Sequence, residues 1–94
     1  MNKLIMFHAR ECPHCKVMMP LVDKLENEEK VKFEKLEVWH DEKNAELMRS
    51  YRSDIAPKCA GQLRTPTFFS PETKDVLCGE VPYGKLKDWA IKQR

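Results

Sequence analysis

Apolar positions fall along this chain in short runs, and the spacing within each run predicts an element. Lys3 to Ala9 is a brief apolar stretch with a charge at one end, which predicts a buried strand. From Cys12 to Glu29, Val17, Met18, Leu21, Val22 and Leu25 recur at helical spacing opposite Lys16, Asp23, Lys24 and Glu26, which predicts an amphipathic helix. Pro13 suits its first turn, where the missing N–H would have no partner, and Pro20 is expected to kink it. Val31 to Trp39 predicts a second strand. Val31 and Phe33 share one parity and Leu36 and Val38 the other, as in a sheet covered on both faces, although a bulge near Glu34 gives the same pattern. Asp41 caps a second helix over Glu42 to Arg52, packed through Ala45, Leu47, Met48 and Tyr51. Pro57 and Gly61 make residues 54–64 a loop. Thr67 to Ser70 and Val76 to Val81, joined by the polar turn from Pro71 to Asp75, read as a hairpin. A last helix from Tyr83 to Lys92 buries Leu86, Trp89 and Ala90. The order β-α-β-α-β-β-α predicts an α/β domain with one small, mixed, four-stranded sheet and helices on both faces.

Composition narrows the function classes. The 94 residues make a single domain, 1–94, and 41% apolar residues with 9% aromatics suffice for one core. Seventeen basic residues against fifteen acidic ones leave a net charge of +2, with the signs interleaved, so no basic stripe points to nucleic acid. The apolar run Leu4 to Phe7 is too short for a signal peptide or a membrane span, so a cytoplasmic protein with no membrane partner is expected. Four cysteines are present. Without an export signal, the tight pair Cys12 and Cys15 points to redox chemistry or metal binding rather than to a disulfide scaffold.

A Cys-x-x-Cys at the junction of a strand and a helix has a specific chemical use. Cys12 sits at the positive end of the helix dipole beside unpaired backbone N–H groups, which favour the nucleophilic thiolate. Cys15, one turn further in, is shielded and placed to resolve the mixed disulfide that Cys12 forms. Pro13 and His14 tune the pair: Pro13 restricts the turn, and His14 is expected to offer a cation or hydrogen-bond donor to the thiolate, making the disulfide more oxidising.

The chain resembles the thioredoxin superfamily over nearly its whole length. The likeness is carried by Cys12-Pro13-His14-Cys15 after the first strand, by Pro20, by the tract Arg64-Thr65-Pro66-Thr67-Phe68, and by Gly79 with the segment from Tyr83 to Trp89. The Pro-His dipeptide itself is similar to that of the bacterial periplasmic disulfide oxidase, whose helical insertion is absent. The resemblance implies a thioredoxin-like fold, a cis Pro66 beside the dithiol, and a Thr65 backbone free to pair with an extended substrate strand. It further implies disulfide-containing protein substrates, a reducing partner, a monomer and no cofactor. Two positions depart from the family: Met6 stands where thioredoxins keep a buried acid, and Glu11 where they carry a tryptophan.

Other readings of the same residues stay open. Cys12 and Cys15 could be half of a zinc site, but Cys59 and Cys78 stand nineteen apart and form no second close pair. An iron–sulfur cluster shared between monomers, or a non-catalytic binding module of the same fold, uses the same motif. Cys78 fits a small buried residue within a strand, whereas Cys59, in the loop leading to Pro66, is a candidate accessory thiol. His8 and His40 read as surface or strand-end residues, the methionines as core filler, and Trp39 and Trp89 as packing residues.

Overall fold

A computed structural model describes residues 3–93. Its elements are β1 (Leu4–His8), α1 (Pro13–Glu29), β2 (Phe33–Glu37), α2 (Glu42–Ser50), α3 (Arg52–Ile55), a 3-10 turn (Ala56–Lys58), β3 (Thr67–Phe69), β4 (Val76–Cys78) and α4 (Tyr83–Lys92). The strands form one mixed sheet in the order β2-β1-β3-β4. β1 runs parallel to β2 and antiparallel to β3, and β3 pairs antiparallel with β4.

β1 is central, and its alternating side chains divide the core in two, as the two-residue period of a strand requires. Leu4 and Met6 pack with Met18, Val22 and Leu25 of α1, Phe68 of β3, and Leu86 and Trp89 of α4. Ile5 and Phe7 face the other way, toward Met48 of α2, Ile55 of α3, Phe69 and Val76. β2 also feeds both layers, Phe33 into the first and Leu36 with Val38 into the second. Its pairing with β1 is regular from Phe33 to Glu37, so the double-sided pattern comes from two covered faces and not from a bulge. Phe68 is fully buried between Phe33 and Trp89, and truncating such a ring costs about 3–5 kcal/mol.

Several boundaries differ from those expected, each for a local reason. β2 is an edge strand and ends where its partner β1 ends, with one further bond from the Val38 N–H to the His8 carbonyl. β4 stops after pairing three residues of β3, because Gly79 turns the chain with φ of 88°, a conformation that favours glycine. The loop expected at 54–64 begins with the end of α3 and the 3-10 turn, since Pro57 sits in a first turn that needs no N–H from it. Among the described residues no helix is long and apolar enough to cross a membrane.

Candidate functional site

The antiparallel register places Phe7 of β1 beside Thr67 of β3, so the segment leaving β1 and the segment entering β3 emerge at the same end of the sheet. Cys12 lies on the first and Thr65 on the second, and the Cys12 Sγ is 3.6 Å from the Thr65 carbonyl oxygen. The Thr65–Pro66 peptide bond is cis, as the resemblance implies.

Cys12 is itself the N-cap of α1. Its backbone is extended and its sulfur accepts the Cys15 N–H at 3.3 Å, in the way a serine or aspartate oxygen would at that position. Pro13 occupies the first helical turn, as expected. Cys12 and Cys15 are both free thiols, both buried, and packed with Ala9. Burial opposes ionisation of Cys12, but hydrogen bonds from the side chains of Cys15 and Thr65 and from the backbone N–H groups of Cys15 and His14 outweigh it and hold the thiol below its ordinary value. At Cys15 burial prevails: together with the hydrogen bond to Cys12 it outweighs the lowering hydrogen bonds with the Ala9 backbone and the Thr65 side chain and pushes the thiol up to about 11. Met6, in the place of the family's buried acid, lies wholly within the apolar core, and no carboxylate is buried among the described residues.

His14 acts differently from expectation. Its imidazole Nδ1 is 2.9 Å from Glu80 Oε1, and both side chains are exposed. A side chain in the first turn of a helix projects outward and back toward the N-terminus, and Glu80 meets it there because the Gly79 turn, whose N–H donates to the Pro66 carbonyl, directs the next residue to the same end of the sheet. What His14 offers the Cys12 sulfur is its backbone N–H.

Cys59 is not a free accessory thiol: it forms a disulfide with Cys78, their Cα atoms 5.7 Å apart. Thr67 pairs with Cys78 across the hairpin, and the 3-10 turn delivers Cys59 to the same spot, with the Thr67 hydroxyl 4.0 Å from each sulfur. With these two sulfurs bonded to each other, they do not form a second thiolate pair for a metal at Cys12 and Cys15.

A second cluster escaped the sequence reading. Glu37, at the end of β2, accepts the Arg10 N–H on one carboxylate oxygen at 3.0 Å and the His40 N–H on the other at 2.7 Å. The His40 imidazole in turn lies 2.6 Å from Glu11, and this bond is the main reason the Glu11 carboxyl sits below its usual range. One ligand atom from each of Glu11, Glu37 and His40 lies within 4.8 Å of the others, the one grouping among the described residues with the donor types of a cation site. Trp39, next in sequence, is 58% exposed and not the packing residue expected, whereas Trp89 is buried. No local pattern in the sequence marks the end of strand pairing at Glu37, beyond which a bulky aromatic has no sheet to cover it.

The thioredoxin family model matches residues 1–59. No curated protein matches. Among solved structures, thioredoxin NaTrxh from Nicotiana alata superposes with a TM-score of 0.72 at 19% identity, covering 99% of this chain and 73% of that one. Thioredoxin from Aeropyrum pernix gives 0.71 at 18% identity, over 99% and 75% of the two chains. Spinach chloroplast thioredoxin f gives 0.69 at 25% identity, over 99% and 76%. The family, together with a close cysteine pair at the head of α1, supports a thiol-disulfide oxidoreductase-like role in general terms. By its sequence match over more than half its length, and by its fold, the chain belongs to the thioredoxin family.

Proposed function

We propose that this protein exchanges disulfides with protein or small-thiol substrates through Cys12 and Cys15, with Cys12 the nucleophile and Cys15 the resolving thiol. The observation that carries the reading is the double role of the Cys12 sulfur, which caps α1 through the Cys15 N–H and lies against the carbonyl that precedes a cis proline. The thiolate of Cys12 attacks one sulfur of a substrate disulfide, and the other sulfur departs as a thiolate and takes a proton. Cys15 then gives up its proton and attacks the Cys12 sulfur, releasing the second substrate thiol. Two electrons pass to the substrate, and an external dithiol or thiol must return them. Thr65 lies before β3 and outside its ladder, where its backbone can pair with an extended substrate strand.

Reduction of insulin by dithiothreitol, followed by turbidity, tests this reading. Wild type is expected to accelerate the reaction, Cys12→Ser to abolish the acceleration, and Cys15→Ser to accumulate a mixed disulfide visible by intact mass. Turnover without Cys12, or none in wild type, would remove the proposal.

A further inference from the structure

Beside Thr65, on the side of the site away from His14 and Glu80, a cleft of about 390 Å³ opens between the end of β2, α2 and the segment leading into the cis proline. Its walls include Trp39, Met48 and Leu63, and the charges on them are two guanidinium groups, Arg49 and Arg64, with no carboxylate among the lining residues. Arg49 is paired with Glu42, whereas Arg64 has no ion-pair partner among the described residues. Trp39 is more than half exposed on the rim. The cleft runs into Thr65, whose carbonyl faces the Cys12 sulfur, so whatever fills it is continuous with the reacting disulfide.

From this juxtaposition we infer that the cleft selects polypeptide disulfides in which the reacting cysteine is flanked by an aromatic or large apolar side chain and a carboxylate. The inference rests on the disulfide-exchange reading above and names its substrate class. Trp39 supplies a broad, rigid face for the apolar group at little cost in side-chain entropy, the property that makes tryptophan a dominant contact in interfaces. Arg64 supplies the carboxylate with a planar, two-pronged donor that is not already neutralised. A basic residue in the same place would meet the guanidinium of Arg64, which no acid among the described residues neutralises, and that is discrimination by repulsion as well as attraction. A small polar disulfide such as oxidised glutathione would satisfy Arg64 but leave the apolar walls facing water.

The test uses short symmetrical peptide disulfides bearing Phe-Glu, Phe-Lys or Ser-Glu immediately before the cysteine. Wild type is expected to show a kcat/KM about tenfold higher for Phe-Glu than for Phe-Lys. In Arg64→Glu that ratio should invert, and a ratio within one variant cancels any general loss of activity. Trp39→Ala should erase most of the preference for Phe-Glu over Ser-Glu. The same peptides with serine in place of cysteine, titrated by quenching of tryptophan fluorescence, should bind in the same order, which reads the cleft without turnover. Wild-type ratios within twofold, an unchanged ratio in Arg64→Glu, or oxidised glutathione outpacing every peptide would overturn the inference while insulin reduction stands. Absence of any disulfide reduction with ordered peptide binding would instead remove the catalytic reading and leave the cleft's selectivity.

Discussion

In the reduced protein, one alkylating agent should distinguish two thiols that are three residues apart and both buried. Cys12 is held below its ordinary value of 9.0 and Cys15 is pushed up to about 11. At pH 7 the thiolate fraction of Cys15 is then about 10⁻⁴, and that of Cys12 exceeds about 10⁻², a ratio of at least about 100. The more basic thiolate is the better nucleophile, and a Brønsted coefficient of about 0.4–0.5 returns a factor of about 8 to Cys15 over that interval. The net expectation is alkylation of Cys12 at least about ten times faster than Cys15. Limiting iodoacetamide at pH 7, quenched at short times, followed by fragmentation of the tryptic peptide that carries both cysteines, measures the ratio directly. Raising the pH toward 11 should narrow the gap, because the thiolate advantage of Cys12 saturates first. Equal early labelling at pH 7, or faster labelling of Cys15, would refute the reasoning that the cap and the neighbouring N–H groups outweigh burial at Cys12.

The exposed His14–Glu80 pair should matter little to the redox poise. Such pairs contribute about 0.2–1 kcal/mol, and 30 mV corresponds to about 1.4 kcal/mol, so His14→Ala should shift the reduction potential by less than about 20 mV. A shift of 60 mV or more in glutathione equilibration would show that the imidazole reaches the dithiol. Cys59 and Cys78 close a loop with a sequence separation of 19, and replacing both with alanine should cost about 3 kcal/mol in urea unfolding of the otherwise identical chain; less than 1 kcal/mol would contradict the loop-entropy account. Gln93 is buried, accepts from the Thr73 hydroxyl and donates to Asp75 and the Trp89 carbonyl, so Gln93→Ala should destabilise the fold by about 1–3 kcal/mol, read by thermal unfolding. Burial opposes the Asp75 carboxylate, but the Gln93 and Val76 hydrogen bonds win and lower its value, so its stabilisation is present above the ordinary carboxylate range and lost as pH falls through the lowered one, a dependence that the Gln93→Ala variant should weaken.

Much of the architecture was legible because it depends on local signals. The short continuous apolar run of β1, the helical spacing after Pro13 and the polar turn before β4 each specify an element without reference to the rest of the chain. The boundaries that moved, at β2 and β4, depend on the length of a partner strand, which no local pattern contains. The same division holds at the site. Cys12, Cys15, Thr65 and Pro66 stand out by spacing and residue type. The partner of His14 is 66 residues away, and the bond between Cys59 and Cys78 depends on a hairpin register and a 3-10 turn meeting at Thr67. Trp39 reads as core by composition and becomes a rim residue because β2 has ended two residues earlier, at Glu37.

The carboxylate of Glu37 has a mechanical consequence. One of its oxygens holds the connection that leads to Cys12, and the other holds the connection that presents Trp39. The nucleophile and the rim of the cleft are therefore surveyed from a single benchmark, and their spacing is set by one side chain on a paired strand instead of by two independent loops. Lengthening the chain between Glu42 and the disulfide would leave that spacing in place. Shortening the Glu37 side chain by one methylene would pull both connections at once, changing the gauge between rim and sulfur although neither loop had been altered.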